Sequence, residues 1–172
     1  DIRAIEEDIL DLEDIRLEEK GLMKIYREPE QGLDFFIGAD VSTGRSQDYS
    51  AFSIMDRKGD EYASFKGKIP TNHLAKMLMK WGKVFNYATL APESNDIGLA
   101  VATQIQDEGY RKLYYASKLL KKKGEKKKEV ESIPGWYTTK KNRPVIIDEL
   151  EEDIRERSIG ILDSAFCTEA AT

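Results

Sequence analysis

Residues 36–50 read FIGADVSTGRSQDYS: an apolar run that carries one carboxylate, Asp40, to its end, then a small-residue turn around a glycine, then a second carboxylate, Asp48. Three strand-like runs follow one another here, LDFFIGAD (33–40), SAFSIMD (50–56) and EYASFKG (61–67). The intervening RKG at 57–59 makes the turn between the second and third, so the three read as a meander. An acid at the tip of such a strand, with a loop of small side chains beside it, places a charge where a ligand can reach it.

Working outward, Pro70 and the cap candidate Thr71 precede Leu74, Met77, Leu78 and Trp81, which fall at i, i+3, i+4 and i+7 and predict a helix packed along one face. ATLAPE (88–93) reads as a fourth strand ending in Glu93. A helix over SNDIGLAVATQIQDEGY follows, with Ser94 to Asp96 as caps and Ile97, Val101 and Ile105 on its face. KLYYA (112–116) then reads as a fifth strand, with Tyr114 and Tyr115 expected in the core. The last helix is predicted from Pro144, carrying Ile147, Leu150 and Ile154 inward. At the other end Ile2, Ile5, Ile9 and Leu12 recur at helical spacing, predicting an acidic amphipathic helix to about Gly21 and a connector around REPEQG. A meander followed by strand–helix units implies an α/β fold, a mixed central sheet flanked by helices.

Composition restricts the chemistry. The 172 residues contain one cysteine, Cys167, and one histidine, His73, which excludes an internal disulfide and the usual thiolate and imidazole zinc sites. Cys167 reads as a small core filler, His73 as a surface or boundary residue, and Trp81 and Trp136 as packing residues. Any metal chemistry must use carboxylates, which select hard ions such as Mg²⁺ or Mn²⁺. No run reaches the roughly 20 apolar residues of a membrane span, so no membrane partner is expected. Charge is segregated: residues 1–30 hold eleven acids and five bases, whereas 111–128, RKLYYASKLLKKKGEKKK, hold nine bases and one acid. A lysine run of this kind is either a solvated loop or a contact for phosphates. If the strands ending in Asp40 and Glu93 are neighbours, both acids emerge at one edge, an arrangement stabilised by a cation between them. Two divalent ions held roughly 4 Å apart by such carboxylates activate water and stabilise the leaving oxygen in phosphodiester cleavage. Asp48, on the loop into the second strand, is a further ligand or a partner that orients one.

FIGADVSTGRSQDYSAFSIMD, ATLAPESNDIGLAV, GWYTTKKNRPVIIDELEEDI and IGILDSAFCTE follow in order and spacing a known family. The chain from about residue 33 to its end resembles the nuclease domain of the tailed-bacteriophage large terminase subunit, the DNA-packaging motor and headful nuclease, in the branch found in T4-like phages. The resemblance implies an RNase H-like fold, a two-metal mechanism using Mg²⁺ or Mn²⁺, and double-stranded DNA as substrate. It makes Asp40 the first metal-binding and catalytic acid, Asp48 the acid of the following loop, and Glu93, in ESN, the second catalytic acid. Lys140 and Lys141 follow the family's Gly-Trp segment, in which Gly135 permits the turn and Trp136 packs beneath it. Lys121, Lys122, Lys123, Lys126, Lys127 and Lys128 fall where family members carry a hairpin or loop near the DNA groove. Residues 1–32 become an acidic helical linker toward an ATPase domain of the same parent protein, and 33–172 the nuclease domain. No GxxxxGK[ST] phosphate loop is present, so no ATP site is expected in this chain. The family also implies a small terminase subunit and a portal as partners, in the cytoplasm of an infected bacterium and transiently at the procapsid portal.

One departure bears on activity. The family's third catalytic acid comes from a late His-Asp-Asp type motif, which has no match before the chain stops at CTEAAT; Asp163 lies upstream of that place. Either the chain is truncated before the third ligand or the metal site is incomplete. The rival reading is therefore a catalytically incomplete RNase H-like domain that grips the DNA backbone, although acids at a groove oppose pure phosphate binding. Actin-like and sugar-kinase ATPases also open with a strand, an Asp and a Gly turn, but they need two such lobes and this length supplies one.

Overall fold

Strict alternation builds the centre of the molecule. In the computed structural model, which describes residues 15–43, 48–120, 129–164 and 166, β3 (Phe35–Asp40) buries Phe35, Ile37 and Ala39 on one face and turns Phe36, Gly38 and Asp40 to the other. β4 (Ser50–Asp56) pairs with it antiparallel, and β5 (Glu61–Gly67) pairs with β4, forming the expected meander. The β4–β5 turn is held by its own residues. Asp56 accepts the backbone N–H groups of Lys58 (2.8 Å) and Asp60 (3.0 Å), while Gly59 takes the positive φ of +87°.

The chain then crosses one face of the sheet as α1 (Thr71–Val84) and returns as β6 (Thr89–Pro92), parallel to β3. Leu74, Leu78 and Trp81 of α1 and Val101 and Ile105 of α2 (Gly98–Asp107) close the core against Phe35, Ile37, Ile54 and Phe65. Thr71 is the first helical residue rather than a cap, and Pro70, in an extended conformation, precedes it. Nor do Ser94 to Asp96 cap α2, whose N-cap is Ile97 with no side-chain bond. Ser94 and Asn95 instead bond a distant segment described below.

Three expectations are corrected. The predicted N-terminal helix does not run to Gly21: β1 (Arg16–Glu18) and β2 (Met23–Ile25) form a hairpin whose second strand pairs with β5. Met23 and Ile25 are buried on either side of Lys24, a period of two, and the left-handed Lys20 and Gly21 make a tight turn between the strands. Tyr114 and Tyr115 are exposed rather than core, because β7 (Tyr115–Leu120) leaves the main sheet to pair with β8 (Glu129–Pro134) as a separate ribbon. Finally, α3 (Asn142–Glu156) buries no residue, and Ile147 is 45% exposed. The six-stranded sheet has the order β1-β2-β5-β4-β3-β6, antiparallel except at β3/β6. Among the described residues no helix is long and apolar enough to cross a membrane.

Candidate active site

Register brings Asp40 and Glu93 together. β3 and β6 are parallel with Ala39 opposite Pro92, and the Glu93 N–H donates to the Ala39 carbonyl at 2.7 Å, so the next residue on each strand is an acid. Both carboxyl groups leave the C-terminal ends of neighbouring strands, close enough for Glu93 to act on the Asp40 carboxyl. Asp40 stands exposed on the face of the sheet opposite α1, but its carboxyl pKa is raised above the ordinary value. The walls around it desolvate the charge first, then Glu93 repels it and shares a hydrogen bond with it; Asp48 adds a smaller repulsion, against a lowering bond from the Val41 N–H.

Serines return Asp48 to this place. The Ser42 N–H donates to Ser50 Oγ (3.0 Å) and the Ser42 hydroxyl donates to the Asp48 carbonyl (3.1 Å), drawing the two ends of the 41–50 loop together. Both serines are buried, so larger side chains would force the loop open.

Glu93 is fixed from behind by its neighbours in ESN. Ser94 N–H and Oγ both donate to the Trp136 carbonyl (2.7 and 2.9 Å). Asn95 forms a two-bond clamp with Thr138, donating to its carbonyl (2.7 Å) and accepting its N–H (2.9 Å). The GWYTT segment thereby extends the sheet beyond β6, with Trp136 bridged to Glu93. Gly135 is required there: its φ is +87°, and a Cβ would collide with the Pro92 carbonyl. Trp136 packs on Tyr114 with ring centroids 5.7 Å apart, and Trp81 is buried at 3% exposure, so both tryptophans are packing residues; His73 is exposed.

Lys140 and Lys141 are exposed on the turn between this clamped segment and α3. Residues 121–128, with all six lysines of the run, lie outside the described residues, as do Cys167 and 1–14. The β7–β8 pairing runs to Leu120 opposite Glu129, which makes 121–128 the connection of that ribbon.

A concavity of about 980 Å³ opens on the face of the sheet opposite α1, with Asp40, Asp48, Ser53, Glu61, Lys66, Asp163 and Leu150 of α3 among its lining residues. Two of these acids are committed elsewhere. Glu61, 3% exposed, accepts Ser53 Oγ (2.7 Å) and the backbone N–H groups of Leu162 (2.7 Å) and Asp163 (2.9 Å), while Asp163 takes Lys24 Nζ at 3.0 Å. Burial still raises the Glu61 pKa, the three donated bonds lowering it and the Asp163 charge raising it. Sequence reasoning missed Glu61, since an acid opening a strand ordinarily faces water. Its only signal was a position inside an otherwise buried run.

The donor set fits a hard divalent cation. Two carboxyl groups at adjacent strand ends repel unless a proton or a cation lies between them, and oxygen donors suit Mg²⁺ or Mn²⁺. Among the described residues no three His, Cys, Asp or Glu side chains gather as a ligand set.

The mixed six-stranded sheet, with paired acids at the ends of its one parallel strand pair, has an RNase H-like fold. The particular structures it resembles are large terminase nucleases of thermophilic phages. That of phage G20c with bound zinc superposes with a TM-score of 0.67 at 15% identity, over 99% of this chain and 86% of that one. The same nuclease with bound magnesium gives 0.66 at 14% identity, over 96% and 76%. The nuclease domain of the Thermus phage P74-26 large terminase gives 0.62 at 16% identity, over 95% and 73%. No protein-family model and no curated protein sequence matches the chain.

Proposed function

We propose that this chain is the metal-dependent endonuclease domain of a phage DNA-packaging terminase, cutting double-stranded DNA with little regard to sequence. The observation that carries the reading is the Asp40–Glu93 pair, set by strand register at the end of the one parallel strand pair. The fold-level likeness to terminase nucleases crystallised with magnesium, cobalt and zinc supports it.

Asp40 and Glu93 would hold the metal, with Asp48 as a further ligand or as a group orienting one. Bound there, two Mg²⁺ or Mn²⁺ ions supply Lewis acidity toward water and toward the scissile phosphate. The chain's own part is positional. β3 and β6 fix the spacing of the acids, the Ser94 and Asn95 bonds keep Glu93 from swinging away, and the Ser42–Ser50 closure holds Asp48 near Asp40. Lys121, Lys122, Lys123, Lys126, Lys127 and Lys128 on the ribbon connection, with Lys140 and Lys141, contact phosphates, which orients a duplex without reading its bases. In the same reading the N-terminal segment leads toward an ATPase domain. The small subunit and the portal are partners in the host cytoplasm.

The rival, a domain that grips DNA without cutting it, is favoured by the commitment of Glu61 and Asp163 to partners of their own in the concavity. Nicking of supercoiled plasmid with Mg²⁺, Mn²⁺ or EDTA separates the two. Metal-dependent nicking that disappears in Asp40→Asn is the expected result. Undiminished nicking by that variant overturns the assignment of Asp40, and salt-sensitive binding without nicking establishes the rival.

A further inference from the structure

The N-terminal end of β6, away from the end that carries Glu93, adjoins a second concavity of about 430 Å³ where α1 and α2 end. That volume lies within the range of small-molecule sites. Lys83, Tyr87, Glu108, Tyr110 and Arg111 are among its lining residues.

The backbone beside it is held in a costly shape. Asn86 and Tyr87, which join α1 to β6, are both left-handed, with φ of +53° and +56°. Asparagine tolerates that region, but a bulky aromatic residue rarely enters it, whereas glycine does so without steric cost. The turn is locked from both sides. Asn86 Nδ2 donates to the carbonyls of Glu30 (2.8 Å) and Leu33 (3.1 Å), and the Ala88 N–H donates to the Gly82 carbonyl (2.8 Å). Tyr87 is thereby fixed beside Tyr110, with ring centroids 6.1 Å apart, yet remains 54% exposed. Tyr110 is the buried member: its hydroxyl donates to the Ala88 carbonyl (2.8 Å), and a Cβ at Gly82 would collide with that hydroxyl. A strained residue kept with its ring exposed is a mark of ligand clamps.

The charges of the cleft are unequally committed. Among the described residues neither the Lys83 nor the Arg111 side chain has an ion-pair or hydrogen-bond partner, whereas the neighbouring Lys112 pairs with Asp34 at 3.7 Å. Glu108 accepts Gln104 Nε2 (2.8 Å). Two cations and an exposed aromatic ring around a small cavity complement an anionic group carried on a flat ring. Lysine binds phosphate as a point charge, arginine binds it through its planar fork, and tyrosine stacks on a nucleobase. Glu108 opposes further negative charge, and the chain has no phosphate loop, so a single phosphate is what the cleft suits.

We propose that this cleft binds a nucleoside monophosphate unit, its base on Tyr87 and its phosphate between Lys83 and Arg111. The strand separates Tyr87 from Glu93 by roughly 20 Å, at about 3.3 Å per residue, so the site stands apart from the acids and from the nuclease reading.

The test is calorimetric titration of the 172-residue chain with AMP in EDTA, which keeps metal from carrying phosphate to the acids. Saturable binding is expected. Tyr87→Gly, which suits the left-handed turn and so preserves the fold, should weaken it by about 5- to 150-fold, the contribution of one base stacked on an aromatic ring. Lys83→Gln with Arg111→Gln should weaken it by about tenfold or more. Arg57→Gln with Lys58→Gln, on the β4–β5 turn, should leave it unchanged. Inorganic phosphate should compete with AMP, and adenosine should bind more weakly than AMP. Absence of saturable AMP binding overturns the proposal, and so does wild-type affinity in either the Tyr87 variant or the Lys83 and Arg111 double variant. A single-stranded oligonucleotide carrying a terminal phosphate decides the source. Binding tighter than AMP that is lost in the same variants assigns the cleft to a strand end; binding no tighter assigns it to free nucleotides.

Discussion

Asp40 and Glu61 are both carboxyls whose pKa is raised, for different reasons and with different consequences. At Asp40 the neighbouring charge of Glu93 adds to desolvation, and a cation can relieve both. A raised folded-state pKa means that the associated stability is full below the unfolded value and is lost as pH rises through the folded one. Raising the pH of the metal-free protein should therefore cost stability at this site. Thermal unfolding at about pH 7.5 should show a Tm that rises with millimolar Mg²⁺ or Mn²⁺. In Asp40→Asn the metal-free Tm should match or exceed wild type and the metal increment should vanish; an increment of wild-type size in the variant would place the ion elsewhere. Glu61 has the same sign but is bound by protein donors. Its variant Glu61→Gln retains one acceptor oxygen for three donors, which costs about 1–3 kcal/mol. Because wild type loses stability as pH rises above the ordinary 4.5 of Glu61 and the amide does not titrate, the gap between the two should narrow with rising pH. Urea unfolding from about pH 4.5 to 8 measures it, and a gap that widens contradicts the sign.

At the scale of elements, α1 and α3 were both expected to pack an apolar face inward and met opposite fates. α1 places Leu74, Leu78 and Trp81 against the sheet with no more than 3% exposure. α3 crowds Asp148, Glu149, Glu151, Glu152 and Asp153 around its few aliphatic residues and leaves them at the surface. Ile147→Ser should change the unfolding free energy by less than about 0.5 kcal/mol, whereas Leu78→Ala should cost about 2–5 kcal/mol. Denaturant titration of the two variants checks the contrast, and a destabilisation above about 1 kcal/mol at Ile147 would show that this face is covered in solution. Periodicity was a sound guide for β3, β4, β5, α1 and β6, where one face is buried and the alternation or the i, i+3, i+4 spacing is enforced by the core. It failed for the hairpin of β1 and β2, whose strands of three residues are too short for a period of two to stand out in the sequence, and whose second strand is held by pairing with β5. Tyr114 and Tyr115 failed for a related reason: they begin a ribbon that stands off the sheet edge, so their strand geometry brings no burial.

For the whole molecule, the acid pair and the ribbon belong to one continuous edge. β6 is bridged to Leu113 just before β7, and Glu93 is bridged to Trp136 just after β8. The lysine run at 121–128 falls between the two strands of that ribbon in the sequence. Replacing its six lysines with alanine should weaken duplex binding and reduce the salt slope by about 0.9 for each phosphate left unneutralised, as measured by anisotropy titration. An unaltered slope would make this run a solvated loop with no part in binding.

The sequence by itself determined the order of the central elements, the two acids at strand ends and the carboxylate character of any metal site, because these depend on local alternation and on which side chains exist at all. Its motifs also carried the resemblance that the fold-level likeness to terminase nucleases supports. What only the tertiary structure decided is which distant residues share a row. Register across β3, β4 and β5 put Lys66 in line with Asp40, the burial of Glu61 turned it into an anchor for residues 162 and 163, and Ser94 and Asn95 became clamps on GWYTT rather than caps of α2. Each of these is a pairing between segments remote in sequence, fixed by hydrogen-bond register and core packing, and no local pattern encodes it.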